Sequence, residues 1–403
     1  MVKMEKISDG CLVDEPLGNR RRTVDASPSR ELSKRALQRE AGWLMPFESV
    51  RSCEMAPMRL PGREPTHVDV LLGENGNAGF GGLYTCKSVW MCPVCAERIG
   101  ELRRRELNQL LAWSREIENG RPRGFPIMLT LTARHFRGDR LEDLLSGMKN
   151  AKKTLQQSRS WKRFKGHVIG SVTATEVTHG GNGWHVHFHM VVVVRAFSDP
   201  LVALLERELP AEWRRALGKN QVEGREGTRA LDGNERAFHW QNADAVGSYV
   251  AKFGAAEELT LSSRKRGRSS SLTPFQLLAA SADGDRSAGY LFQEYATAFK
   301  GRCQLVWSPG LKSLCGADQV EAEVEAEREA QPPELVARIP LKIWDYVIPI
   351  PGSRTSILEA AELHGEEGVR AALAVLLDTD PPPPRFGRRS SRGPRPDLPK
   401  RLL

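Results

Sequence analysis

Gly183-Trp184-His185-Val186-His187-Phe188-His189-Met190-Val191-Val192-Val193-Val194 is the segment on which the fold of this chain turns. Consecutive side chains of a β-strand point to opposite faces. Trp184, Val186, Phe188, Met190, Val192 and Val194 therefore form one apolar face suited to burial under helices. His185, His187 and His189 share the other face. Alternate residues of a strand lie about 6.6 Å apart, so two neighbouring imidazoles can converge on one ion. The outer two of three are about twice as far apart, which makes one of the histidines a neighbour rather than a ligand.

Upstream, Gly180-Gly181-Asn182-Gly183 reads as a turn and residues 167–178 as the partner strand of a hairpin. With Asn182-Gly183 as the loop, Glu176 falls opposite His189. With Gly181-Asn182, or all of Gly180 to Gly183, it falls opposite His187. Each register puts the carboxylate on the histidine face, about 5 Å away Cβ to Cβ. An odd-length loop would not. Two imidazoles and a carboxylate with open positions suit a divalent cation that also holds a phosphate.

The surroundings are α+β in pattern. Ile127, Leu129 and Leu131 alternate with Met128, Thr130 and Thr132, as in a half-buried strand, and Leu141, Leu144, Leu145, Met148 and Leu155 follow helical spacing. A helix near 200–217, a strand near 236–240 and a short helix at 243–254 follow. That last helix carries Tyr249 beside an apolar stripe of Val246, Val250 and Phe253, with Lys252 close to the tyrosine one turn on. A phenol ionises near pH 10, so a metal ion and an ammonium beside it would favour the nucleophilic phenolate or offset charge on an attacked phosphate.

Cys92-Pro93-Val94-Cys95 has zinc-knuckle spacing and Cys86 lies just before it; Cys53 or His67 is available as a fourth ligand. Such a closed site would stabilise a unit too small to hold itself by burial. Cys11, Cys303 and Cys315 show no ligand spacing. An odd total of seven cysteines argues for metal binding in a reducing compartment rather than for disulfides. The chain has 403 residues, 59 Lys+Arg against 50 Asp+Glu and a formal charge of +9, a balance that favours a polyanionic partner. The stretch MVKMEKISDGCLVDEPLG lacks the apolar run of a signal peptide, and no aliphatic run approaches membrane-spanning length, so a cytoplasmic protein without membrane contact is expected.

Five segments follow from these patterns. Residues 1–45 read as a disordered arm, 46–120 as a cysteine-rich zinc-binding unit with a linking helix, and 121–256 as the catalytic domain. Residues 257–350 read as the C-terminal part of the core, and 351–403 as a short helix with a disordered Pro/Arg-rich tail. The basic run Arg264, Lys265, Arg266 and Arg268 is a candidate for phosphate contact.

Together these segments resemble the plasmid rolling-circle replication initiators of the HUH endonuclease superfamily over roughly residues 50–315. The resemblance rests on Leu129-Thr130-Leu131-Thr132, on His187-Phe188-His189 running into an aliphatic strand, on Glu176 in the preceding strand, and on Tyr249-x-x-Lys252. Cys86 to Cys95 and the stretch Lys300 to Ser308 are similar as well. The resemblance implies an antiparallel sheet with the histidine strand central and helices packed on one side, preceded by the zinc-stapled unit. It implies His187 and His189 as the metal pair with His185 beside them, Glu176 as a further ligand, and Mg²⁺ or Mn²⁺ as the ion. It supports Cys53 as the fourth zinc ligand. Tyr249 would attack a phosphodiester of single-stranded or hairpin origin DNA, giving a 5′-phosphotyrosyl link and a 3′-OH primer. Host polymerase, helicase and single-strand-binding protein are implied partners, in a bacterial or archaeal host of the plasmid. In one respect the chain departs from the pattern: where relatives often carry a glutamate one turn before the tyrosine, it has Ala245, with Asp244 about 100° away around the helix. Two other readings stand beside this one: an HUH-type transposase, and a non-catalytic zinc-containing DNA-binding regulator.

Overall fold

The alternating segment is a strand, Gly183–Val194, third of five in an antiparallel sheet. The computed structural model describes residues 33–59, 61–62, 64–224, 227–242, 247 and 271–380. The sheet runs in the order Phe238–Gln241, Phe125–Thr132, Gly183–Val194, Val168–Gly180, Leu305–Trp307. Its apolar face carries Trp184, Val186, Phe188, Met190, Val192 and Val194, packed in one core with Ile127, Leu129 and Leu131 of the neighbouring strand. Helix Leu141–Gln157 contributes Leu144, Leu145, Met148 and Leu155, and helix Arg286–Phe299 contributes Phe292, Tyr295 and Phe299. Each side chain buried in this way stabilises the fold by about 1.5–3 kcal/mol.

The histidine-bearing face is divided. Val191 and Val193 lie under helix Pro93–Arg115, against Leu107, Leu110 and Leu111, in a second core with Met128, Val172 and Ala174. Helices therefore cover both sides of the sheet, not one. The aliphatic half of the strand is apolar on both faces and must bury both, whereas the three histidines at its other end are part-buried. Pro93 at the start of that helix has no N–H to satisfy, and the Cys92 sulfur caps it by accepting from the Cys95 amide.

The hairpin register is resolved by its turn. Gly180 pairs with Gly183, so the loop is Gly181-Asn182 and Glu176 lies opposite His187. Gly183 has φ +88, and a Cβ there would lie 2.8 Å from the Phe136 carbonyl. Only glycine lets the loop after the Phe125–Thr132 strand close onto the turn.

A separate small sheet joins distant parts of the chain. Strand His67–Leu72 pairs with Ala78–Gly81 on one side and with Glu334–Pro340 on the other. Helices Leu341–Val347 and Ser353–Leu377 cover it through Trp344, Val347, Ile357, Leu358 and Val369. The sequence reading separates 257–350 from 351–403, whereas here residues 334–377 form one core with 67–83. Residues 34–44, assigned by composition to the arm, form helix Lys34–Leu44, capped by Ser33 and burying Leu37 and Ala41. Gln38 of that helix donates to the carbonyls of Val50 and Cys53, and the buried Arg354 donates to Gln38. Residues 1–32 and the tail from 381 lie outside the described residues. No described helix is long and apolar enough to cross a membrane.

Candidate metal and phosphate site

The threonines of Leu129-Thr130-Leu131-Thr132 face the histidines across the sheet. Thr130 is paired with His189, and Thr132 with His187. The hydrogen-bond roles follow one from another. The Thr132 hydroxyl donates to the Val186 carbonyl at 2.9 Å, so its oxygen accepts from His185 Nε2 at 3.0 Å. With its proton on Nε2, His185 can only accept at Nδ1, where His187 Nε2 donates at 3.1 Å. On the other side, His189 Nε2 meets Glu176 Oε2 at 2.9 Å, and its Nδ1 accepts from Thr130 Oγ1 at 3.1 Å. Of the six nitrogens of these three rings, one lacks a partner among the described residues, the buried Nδ1 of His187. Helix Leu209–Gly218 fixes the end of the threonine strand, because Trp213 Nε1 donates to the Thr132 carbonyl at 2.9 Å.

The row continues to a residue that the sequence reading did not single out. His135 stacks on His185 with ring centroids 4.4 Å apart. His185 and His187 follow at 3.9 Å, and His187 and His189 at 5.6 Å. Its one signal was position, three residues beyond Thr132. His239 also lies on this face of the sheet, paired with Thr130.

Burial is the main reason that His185 and His187 are both pushed down to about 4, with the charge of a neighbouring histidine adding to it. Both rings are neutral near pH 7, the form in which imidazole binds a metal. Their ordinary value is 6.5, so between about 6.5 and 4 the unfolded chain takes protons that the folded chain refuses. The stability tied to these two neutral rings is complete above 6.5 and is lost as the pH falls towards 4. A His185→Gln/His187→Gln variant is expected to lose less stability between pH 7 and 5 than the wild type, as read from urea midpoints.

Two imidazoles and a carboxylate match a hard divalent ion in kind. In position, His189 and Glu176 already meet, while His187 is turned to His185. Among the described residues, the four cysteines are the group that brings three or more ligand atoms within 4.8 Å of one another. Cys53 and Cys95 sulfurs lie 3.5 Å apart, Cys86 and Cys95 3.6 Å, and Cys92 and Cys53 3.7 Å. A tetrahedron with metal–sulfur bonds near 2.3 Å has edges of about 3.8 Å, so the group could bind zinc. Hydrogen bonds among the four sulfurs hold the Cys53 and Cys95 thiols below their ordinary value and push those of Cys86 and Cys92 above it, so the cluster divides its protons unevenly. His67, the other candidate ligand, pairs instead with Asp69 at 3.3 Å. Cys303 is exposed and Cys315 buried, both as free thiols, while Cys11 lies outside the described residues.

Tyr249, Lys252, Asp244 and Ala245 lie outside the described residues, as do Arg264, Lys265, Arg266 and Arg268. Their relation to the histidine row is carried by sequence alone.

Residues 82–219 match the Replication protein family, a span that holds three of the four clustered cysteines and the whole histidine row. A Protein rep of Streptomyces lividans is 28% identical, over 60% of this chain and 66% of its own length. A Neomycin resistance protein of Streptomyces cyanogenus is 30% identical over 28% of this chain and 31% of its own length. A Protein rep of a Bacillus species is 31% identical over 36% of this chain and 45% of its own length. The chain thus spans just under two thirds of the first relative and less than half of the other two. No solved structure matches the chain significantly. The chain thus carries a segment, residues 82–219, that matches the Replication protein family, and it is similar to Rep proteins of Streptomyces and Bacillus.

Proposed function

We propose that this protein initiates rolling-circle replication of a plasmid by nicking and rejoining single-stranded origin DNA through Tyr249. The observation that carries the reading is the row of histidines with Glu176 on one half of a sheet face, in a segment matched by the replication-protein family. His187, His189 and Glu176 would hold Mg²⁺ or Mn²⁺, which would withdraw charge from the scissile phosphate and so favour attack. Thr130 and Thr132 hold the ring tautomers, directly for His189 and through His185 for His187. The Tyr249 oxygen attacks phosphorus and loses its proton. The bond from phosphorus to the 3′ oxygen breaks, and that oxygen leaves as a 3′-OH after taking up a proton. Lys252 would offset charge on the phenolate or the phosphate. Religation is the same exchange run backwards. Zinc on Cys53, Cys86, Cys92 and Cys95 would be structural.

The test is a denaturing gel of the protein incubated with labelled single-stranded origin DNA and Mn²⁺. The expected result is a slow-moving covalent band that is lost entirely in Tyr249→Phe, where no nucleophilic oxygen remains. A band of undiminished intensity in Tyr249→Phe would sink the assignment. An HUH transposase would give the same band with transposon-end DNA and not with origin DNA, and a non-catalytic regulator would give none.

A further inference from the structure

The loop that closes over the hairpin turn, Ala133-Arg134-His135-Phe136-Arg137-Gly138-Asp139-Arg140, has a feature that phosphate chemistry does not require. Phe136 is 41% exposed, yet its ring lies among guanidinium groups. The Arg229 guanidinium is 4.4 Å from the ring centroid and that of Arg134 is 5.1 Å away. The two arginines are held differently. Arg229 is fixed by two bonds to the Asp139 carboxylate and one to the Arg134 carbonyl, and its side chain is 26% exposed. Asp139 also accepts from the Phe136 amide at 2.9 Å, so a single carboxylate orders both the ring's backbone and its bracing cation. Arg134 is 65% exposed, with Asp232 as its ion partner at 3.6 Å. Arg137 and Arg140 add positive charge to the same loop.

The loop is also tied to the candidate site. His135 stacks on His185, the near end of the histidine row, and Phe136 is the next residue. The Phe136 carbonyl lies so close to Gly183 that no side chain fits between them. A rigid aromatic ring is thus held at one end of the candidate phosphate site, with one cation locked behind it and another able to turn outwards.

We propose that Phe136, braced by Arg229, is a stacking platform for an unpaired nucleobase of the DNA strand whose phosphate sits at the histidine row. Arg134 turns from the ring onto an adjacent phosphate as the base arrives. Every nucleobase presents a π-face, so such a platform takes any sequence, and it requires a single strand because paired bases are already covered by their neighbours. A guanidinium over the ring strengthens the arrangement and supplies the charge that the backbone needs. The inference deepens the DNA-nicking reading given above and rests on its substrate, not on its chemical step.

The test is fluorescence anisotropy of the full chain with a fluorescein-labelled single-stranded oligonucleotide of mixed sequence, with the same sequence as a duplex for comparison. Phe136→Ala is expected to weaken single-strand binding about ten-fold, the size of one base–aromatic stack, with an unchanged slope of log affinity against log salt. Phe136→Trp should bind as the wild type does. Arg134→Ala should lower the salt slope by about one phosphate contact. Melting temperatures of the variants separate a lost platform from a loosened loop. Wild-type affinity in Phe136→Ala overturns the platform, as does a Phe136→Trp variant as weak as Phe136→Ala. The Tyr249 adduct is read separately: a wild type that binds through Phe136 but forms no covalent band refutes nicking and leaves the platform standing.

Discussion

His187→Ala and His189→Ala are each expected to slow cleavage of single-stranded DNA by about 10²–10³-fold, the size of losing one preorganised charge-stabilising group at a reacting centre. His185→Ala is expected to cost about 10–100-fold, as loss of an outer partner that orients a ligand does. The ordering follows from the bonds. Both nitrogens of His185 are engaged, one on Thr132 and one on His187, so its work is to hold the His187 ring. His187 keeps a buried Nδ1 with no partner among the described residues, and His189 already shares its Nε2 with Glu176. A cation replacing the proton between His189 and Glu176 would keep both groups in place. Single-turnover cleavage rates measure the first effect, and Mn²⁺ titration by calorimetry separates ligands from supports. His185→Ala should bind Mn²⁺ more weakly but at full stoichiometry, whereas His187→Ala and His189→Ala should lose the site. Full Mn²⁺ binding in His187→Ala together with its loss in His185→Ala would move the pair to His185 and His189. Because His187 is neutral near pH 7, none of these differences should come from altered protonation in that range.

Much of this site was legible because strand periodicity is strict. One residue in two faces one side, so three alternating histidines needed no tertiary knowledge to share a face. The hairpin register was open among a few loops; the structure has the Gly181-Asn182 loop, with the Phe136 carbonyl packed close to Gly183, a contact invisible in the local sequence. His135 was missed because it lies in a loop, where no period places a side chain. Helix Lys34–Leu44 was hidden by its composition: Gln38 and Glu40 are buried beside Leu37 and Ala41, which breaks the apolar stripe on which helix recognition depends. The pairing of His67–Leu72 with Glu334–Pro340 joins segments more than half the chain apart, and neither strand carries a mark of its partner. Covering of the histidine face by helix Pro93–Arg115 had a faint trace in Met190 to Val194, where an unbroken aliphatic run signals burial on both sides.

That helix links the cysteine cluster to the histidine strand, and the link sets the expected outcome of breaking the cluster. Cys92→Ala or Cys95→Ala should release the ion proposed there, lowering zinc from one per chain towards none by elemental analysis. Structural zinc sites in isolated peptides contribute about 10–16 kcal/mol of apparent binding energy, comparable with the whole stability of a domain. Here Cys53, Cys92 and Cys95 are also buried in the main core beside Leu37, Ala41 and Val50, so part of the unit is held by apolar contacts as well. The expected result is therefore local: limited proteolysis should open the segment between Cys53 and Cys92 while the five-stranded sheet keeps its protection. Cleavage of DNA should fall nonetheless. Cys92 caps helix Pro93–Arg115, whose far half bears on Val191 and Val193, the continuation of the strand that holds the histidines. A frayed cap leaves that end of the strand less firmly seated, and a ligand pair displaced by even about 1 Å can lose about 10²-fold in rate. A cysteine variant that retains wild-type zinc content, proteolytic pattern and cleavage rate would show that the four sulfurs are merely packed thiols, with helix Pro93–Arg115 held by its apolar face alone.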